Sequence, residues 1–163
     1  MRAKAFLARL ISSLVLLVFV LLVTSSTAVT QEKKEKSLYD RLGGVYAIAS
    51  VVDDFIERLL VDDVLNANPA INEARDRVPK AGLKYRITSM VCQATGGPQK
   101  YTGRSMKDSH KHLNITEREW EAMIADFKIT LDKFKVPEKE QNELIKILES
   151  TKKDIVMKSD KMQ

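Results

Sequence analysis

Gly96-Gly97-Pro98-Gln99-Lys100-Tyr101-Thr102-Gly103-Arg104-Ser105-Met106-Lys107-Asp108-Ser109-His110 is the stretch from which the rest of the chain is read. Two glycines and a proline stop whatever helix precedes them. Gln99–Ser105 has no apolar period and reads as an extended link. Met106, His110 and Leu113 then recur at i, i+4 and i+7, which predicts a short helix with one apolar face. His110 is one of only two histidines, and His112 follows two positions later. Two positions on a helix lie about 200° apart, so both cannot point into one pocket. No HExxH, Cys-x-x-Cys or carboxylate cluster surrounds them. A metal held here has a single protein ligand, and a cofactor supplies the rest. Haem iron is the common case.

Outward from that stretch, every periodic segment is helical. Ser37-Leu38-Tyr39-Asp40 is a cap and first turn, ended by Gly43-Gly44. Ile48, Val51, Val52, Phe55, Ile56 and Leu59 make one stripe on a helix from about Val45 to Leu60. Asp62-Asp63 and Asn66-Ala67-Asn68-Pro69 break the pattern. A third helix begins near Pro79, with Leu83, Ile87, Met90, Val91 and Ala94 on its expected buried side. Beyond the histidines, Thr116 and Glu119 form a capping box. It opens a long helix striped by Trp120, Met123, Ile124, Phe127 and Leu131. Lys133–Val136 is a turn, and Pro137 opens a last helix marked by Leu144, Ile147, Leu148, Thr151 and Ile155. The expectation is an all-α domain of five or six helices, large enough to bury a core. The Met and aromatic residues on these faces suit either an ordinary core or the lining of a flat apolar cofactor.

The front of the chain is different. Arg2, Lys4 and Arg9 precede an apolar run over Leu10–Val23, and small residues at Ser26 and Ala28 follow. These are the parts of a secretory signal peptide. The run is short for a membrane span, which needs about 20 residues. The expected layout is a signal peptide over 1–28 (or an uncleaved anchor), a polar linker over 29–37, the folded domain over 38–156 and a tail over 157–163. The domain is then exported, periplasmic or extracytoplasmic, and meets a membrane only if residues 10–23 stay attached as an inner-membrane anchor. The whole chain carries net +5. Without residues 1–28 it has 24 basic and 22 acidic side chains, net +2, so the charge gives no case for nucleic-acid binding. Cys92 is the only cysteine, which excludes an internal disulfide. Its apolar helix predicts a small buried hydrophobe rather than a reactive thiol.

In four blocks the chain resembles the group 1 truncated haemoglobins. They are Ser37–Gly44 with its double glycine; Val51-Val52-Asp53-Asp54-Phe55 with Arg58; Gly96-Gly97-Pro98, Tyr101-Thr102-Gly103-Arg104 and Met106-Lys107 leading to His110; and Asn114-Ile115-Thr116 through Val136-Pro137. The resemblance implies a two-on-two helical sandwich, preceded here by the signal segment, around one non-covalent haem b. It implies His110 as the iron ligand, with the opposite face open to O2, CO or NO. Arg86, Tyr101 and Arg104 fall where the family meets the propionate edge. Met106, Leu113, Ile115, Trp120, Met123 and Phe127 match positions on the proximal face or haem edge. Phe55, Ile87 and Val91 match the distal side.

The distal side departs from the family pattern. The tyrosine whose hydroxyl donates to the gas is Ile56 here. Its glutamine partner aligns with Ile87. Loss of both donors implies faster O2 release and less preference for O2 over CO, unless Asn68 or Tyr85 supplies a replacement. The expected function is reversible binding of a diatomic gas, of the oxygen-binding or carrier type. The alternatives are NO dioxygenation or peroxidase-like turnover, which need an electron-donating reductase, and a globin fold that has lost its haem. No flavin or nicotinamide motif is present.

Overall fold

The computed structural model describes residues 35–157. The expected signal segment and most of the linker and tail lie outside them. Among the described residues there are nine helices and no strand: α1 Leu38–Arg41, α2 Gly44–Val61, α3 Asp63–Asn66, α4 Pro69–Arg77, α5 Lys80–Ala94, α6 Met106–His110, α7 Glu117–Lys133, α8 Glu138–Glu149 and α9 Lys152–Ile155. No described helix is long and apolar enough to cross a membrane.

α2 is the central element. It packs along α5 on one side and α7 on the other, while α3 rests on α7 and α6 rests on α9. Ile48, Val52 and Ile56 of α2 meet Cys92 of α5 in one buried cluster. Leu38, Leu131 and Leu144 form a second cluster, joining α1, α7 and α8. Burying a Leu or Ile side chain contributes about 1.5–3 kcal/mol, so these stripes are the main source of stability. Cys92 is fully buried, and burial pushes its thiol pKa up, in keeping with an inert hydrophobe.

The two glycine pairs work together through Tyr39. Gly43 and Gly44 have φ of +90° and +78°, a left-handed corner that lets α2 begin at once after α1. The Tyr39 hydroxyl accepts from the Val45 N–H at 3.1 Å, and the Tyr39 N–H donates to the Thr95 carbonyl at 2.8 Å. A Cβ at Gly97 would stand 2.5 Å from the Tyr39 ring. The tyrosine thus ties the first corner to the stop that precedes the histidine segment.

The capping box is present as expected. Glu119 N–H donates to the Thr116 hydroxyl, and Thr116 N–H donates back to the Glu119 carboxylate at 2.6 Å. Three expectations need correction. Residues 62–69 are not simply a break: Asp62 caps α3, and Asn68 caps α4 with Pro69 in its first turn. α4 lacks any buried residue and therefore shows no stripe; Arg75 holds it instead, donating to the Leu59 carbonyl at 2.6 Å. The last helix divides in two at Ser150–Thr151. On α5 the buried residues are Thr88, Ser89 and Cys92, whereas Leu83, Ile87, Met90 and Val91 are only half-buried and Ala94 is exposed.

Candidate functional site

α6 is short because its ends are fixed locally. The Ser105 hydroxyl accepts from the Asp108 N–H at 3.0 Å at its start, and a turn follows at Lys111. His110 is its last residue and is half-buried. The His110 Nδ1 lies 2.8 Å from the Met106 carbonyl oxygen. A carbonyl can only accept, so Nδ1 carries the proton and donates. In that tautomer Nε2 is the nitrogen that carries the lone pair. A second nitrogen tied to a carbonyl is the usual way of orienting a metal-binding imidazole. His112 is exposed, and it lines a surface hollow of about 390 Å³ with Arg104, Asp108 and Lys111.

Apolar side chains expected to line a cofactor lie on three elements. Met106 and Leu113 are half-buried on the His110 segment, Ile87 and Val91 on α5, and Met123 and Phe127 on α7. α5 and α6 do not pack closely on one another. Phe127 stacks edge-on against Phe55 of α2, with ring centroids 5.1 Å apart. A histidine whose Nδ1 is tied to a carbonyl has the chemistry of a single-ligand haem-iron donor, and apolar side chains expected to line the cofactor are half-buried on α5, α7 and the His110 segment.

The remaining expected residues are spread more widely. Trp120 and Ile115 are buried beneath the C-terminal elements. Trp120 Nε1 donates to Glu149 at 3.4 Å with Lys152 over its ring, and the Ile115 carbonyl accepts from the Met157 N–H at 2.9 Å. Tyr101 donates its hydroxyl to the Arg104 carbonyl at 2.8 Å, which closes the link into a loop. Arg104 and Arg86 are exposed.

On the distal side, Ile56 is 2% exposed and sits in the α2–α5 cluster, against which Ile87 and Val91 also pack. The two candidate replacement donors have other surroundings. Asn68 accepts from the Ala70 and Ile71 N–H groups and donates its amide to the Leu113 carbonyl at 2.9 Å. Tyr85 is 74% exposed and lines an outer groove between α2 and α5. The Asn68–Leu113 bond was not foreseen. It joins the start of α4 to the chain just beyond His110, and the only sequence signal for it was an asparagine before a proline.

These features, a two-layer helical fold with a single carbonyl-oriented histidine among apolar side chains, define a small globin. The family model for bacterial-like globins matches residues 37–157, and the chain belongs to that family. Within it the chain is a group 1 truncated haemoglobin. It is 29% identical over 125 residues to the group 1 truncated haemoglobin of Tetrahymena pyriformis, covering 77% of this chain and 98% of that one. It is 36% identical over 108 residues to a group 1 truncated haemoglobin of Synechocystis, covering 63% and 81%. The structure of the Tetrahymena pyriformis protein in its Fe(III) form superposes with a TM-score of 0.61 at 26% identity, covering 76% of this chain and 100% of that one. Membership implies haem and the binding of diatomic gases such as O2.

Proposed function

We propose that this chain holds one non-covalent haem b through His110 and binds a diatomic gas reversibly, releasing O2 quickly. The observation that carries the reading is the 2.8 Å contact from His110 Nδ1 to the Met106 carbonyl, which leaves Nε2 as the free donor. Met106, Leu113, Met123 and Phe127 enclose the proximal side and edge; Ile115 and Trp120 back them from below. Arg86, Tyr101 and Arg104 stand where propionates would be met. Phe55, Ile56, Ile87 and Val91 form the distal wall. When bound, haem supplies an open iron position at which a gas can be held.

The chain's own residues then set the selectivity. With isoleucine at positions 56 and 87, no O–H or N–H donates at either place. With Asn68 engaged and Tyr85 in solvent, neither replaces them. A hydrogen bond to a charged partner contributes about 1.5–3 kcal/mol, or roughly ten- to over a hundredfold in affinity. A gas that gains negative charge when held, as O2 would, would find no donor from residues 56 and 87, whereas the much less polar CO would lose little. Carrier or storage behaviour with weak O2 retention follows. NO dioxygenation relies on a long-held O2 and is disfavoured by the same wall. Export to the periplasm or beyond rests on the pattern of residues 1–28, and an electron-donating reductase belongs to the same proposal. Stopped-flow displacement of O2 by CO tests the selectivity: fast O2 release is expected, and slow release contradicts it.

A further inference from the structure

Residues 105–115 are held to the rest of the domain at few points. α6 has only five residues, and a helix that short is not stable alone, because its first turn is costly to form. The His110 ring bonds to the Met106 carbonyl of the same helix. That bond sets the ring against α6 but does not place α6 in the fold. α6 rests on α9. Among the described residues, two hydrogen bonds reach residues 105–115 from outside. One runs from the Met157 N–H to the Ile115 carbonyl at 2.9 Å. The other runs from the Asn68 amide to the Leu113 carbonyl, also at 2.9 Å. The Leu113 N–H in turn donates to the His110 carbonyl at 2.9 Å, so Asn68 grips the turn that follows the histidine.

Asn68 is itself fixed. Its Oδ1 accepts from the Ala70 and Ile71 N–H groups, so the atom that faces Leu113 is the amide nitrogen. Its own N–H donates to the carbonyl of Leu65, which is buried on α3. Beside it, the Asn66 amide donates to the Leu60 carbonyl at 3.2 Å. Arg75 donates to the Leu59 carbonyl and to the Asn66 side chain. Leu59 and Leu60 belong to the last turn of α2, the helix that carries Ile56. A series of polar bonds therefore runs from the end of α2 to the His110 segment.

We propose that Asn68 is a positioning residue for His110: its amide clasps the His110 segment to the end of α2, and this clasp slows the loss of the cofactor. The proposal rests on the haem reading above. In that reading α2 stands on one side of the porphyrin and α6 on the other, so the clasp has to part when the two sides separate. Asn68 does two tasks with two atoms. Its oxygen caps α4, a task that Asp or Ser performs about as well. Its nitrogen donates to Leu113, a task that neither takes over. An ionised Asp has no proton to give, and the Ser hydroxyl stops one bond short. The clasp can therefore be removed while the cap is kept.

The test uses the full chain loaded with hemin, with excess apomyoglobin as the hemin acceptor. Asn68→Asp and Asn68→Ser should each lose hemin roughly three- to tenfold faster than the parent, the value of one neutral hydrogen bond. The iron–imidazole stretching band of the ferrous form should shift in both, since the seat of the histidine has changed. Ser37→Ala opens the cap of α1 and leaves Asn68 in place. It should lower the melting temperature while hemin loss and the band stay as in the parent. Parental hemin loss in both Asn68 variants overturns the proposal. Faster loss with an unmoved band also overturns it, since Asn68 would then act on α4 and not through the histidine. So does equal acceleration by Ser37→Ala, which would mark a general loss of stability. A chain that takes up no hemin overturns the underlying haem reading instead.

Discussion

In the proposed reading, the two sides of the iron site follow different rules. On the proposed proximal side a serine caps the short helix and a carbonyl orients its histidine. On the proposed distal side the two donor positions are Ile56 and Ile87; Asn68 is bonded to the Leu113 carbonyl and Tyr85 is exposed. The difference teaches that holding a haem and choosing a gas are separable tasks. The first needs one oriented lone pair and apolar walls. The second needs a donor on the opposite face, and in the proposed reading this chain lacks one there while keeping the first.

Several substitutions and conditions break or sharpen that contrast, and the largest effect belongs to the proximal side. A ligand bound only by the folded state adds about 4 kcal/mol at a thousandfold excess over its Kd. Removing haem should therefore lower the melting temperature by many degrees, and His110→Ala should lose most of the gain that hemin gives. Ile56→Tyr should leave that gain intact while slowing O2 release roughly ten- to a hundredfold, the value of one restored hydrogen bond of about 1.5–3 kcal/mol. If Ile56→Tyr instead weakens haem retention as strongly as His110→Ala, the two tasks are not separable.

Smaller effects test the frame that carries both sides. Asp126 of α7 is 8% exposed, and its Oδ2 has no hydrogen-bond partner. Burial first, and the Asp62 carboxylate second, hold its pKa above the usual carboxylate range, with Arg58 opposing them. The folded state therefore keeps the proton longer than the unfolded chain. The stability this favours is full below the unfolded pKa and is lost as pH rises through the folded one. Asp126→Asn removes that dependence. It should be more stable than the parent at pH 7 by about 1 kcal/mol, with the advantage shrinking as pH falls toward 4; thermal melts across that range measure it. Thr116→Ala opens the capping box of α7 and should cost about 1 kcal/mol at every pH, read from denaturant midpoints, with no change in gas kinetics.

Much of this molecule was legible from apolar spacing. α2, α5 and α7 announce themselves because their stripes recur at helical steps, and the capping box fixes where α7 begins. α4 was hidden because polar bonds hold it: Arg75 reaches the Leu59 carbonyl, and Asn68 bridges to Leu113. Asn68 before Pro69 was a start signal, yet no periodic face followed to support it. The division between α8 and α9 was hidden for the opposite reason, since an apolar stripe runs on across it. Of the proposed site, the short helix ending on His110 could be read directly from the spacing of Met106, His110 and Leu113. The tautomer could not, because it depends on which carbonyl the ring meets.

Hemin titration of the purified chain, followed by the Soret band and its shift on adding CO to the ferrous form, tests the central claim most directly. The parent and His112→Ala should both take up one hemin and show the shift. His110→Ala should lose the band and regain it with added imidazole. A colourless parent, or a band that survives loss of His110 and disappears with His112, would contradict the account.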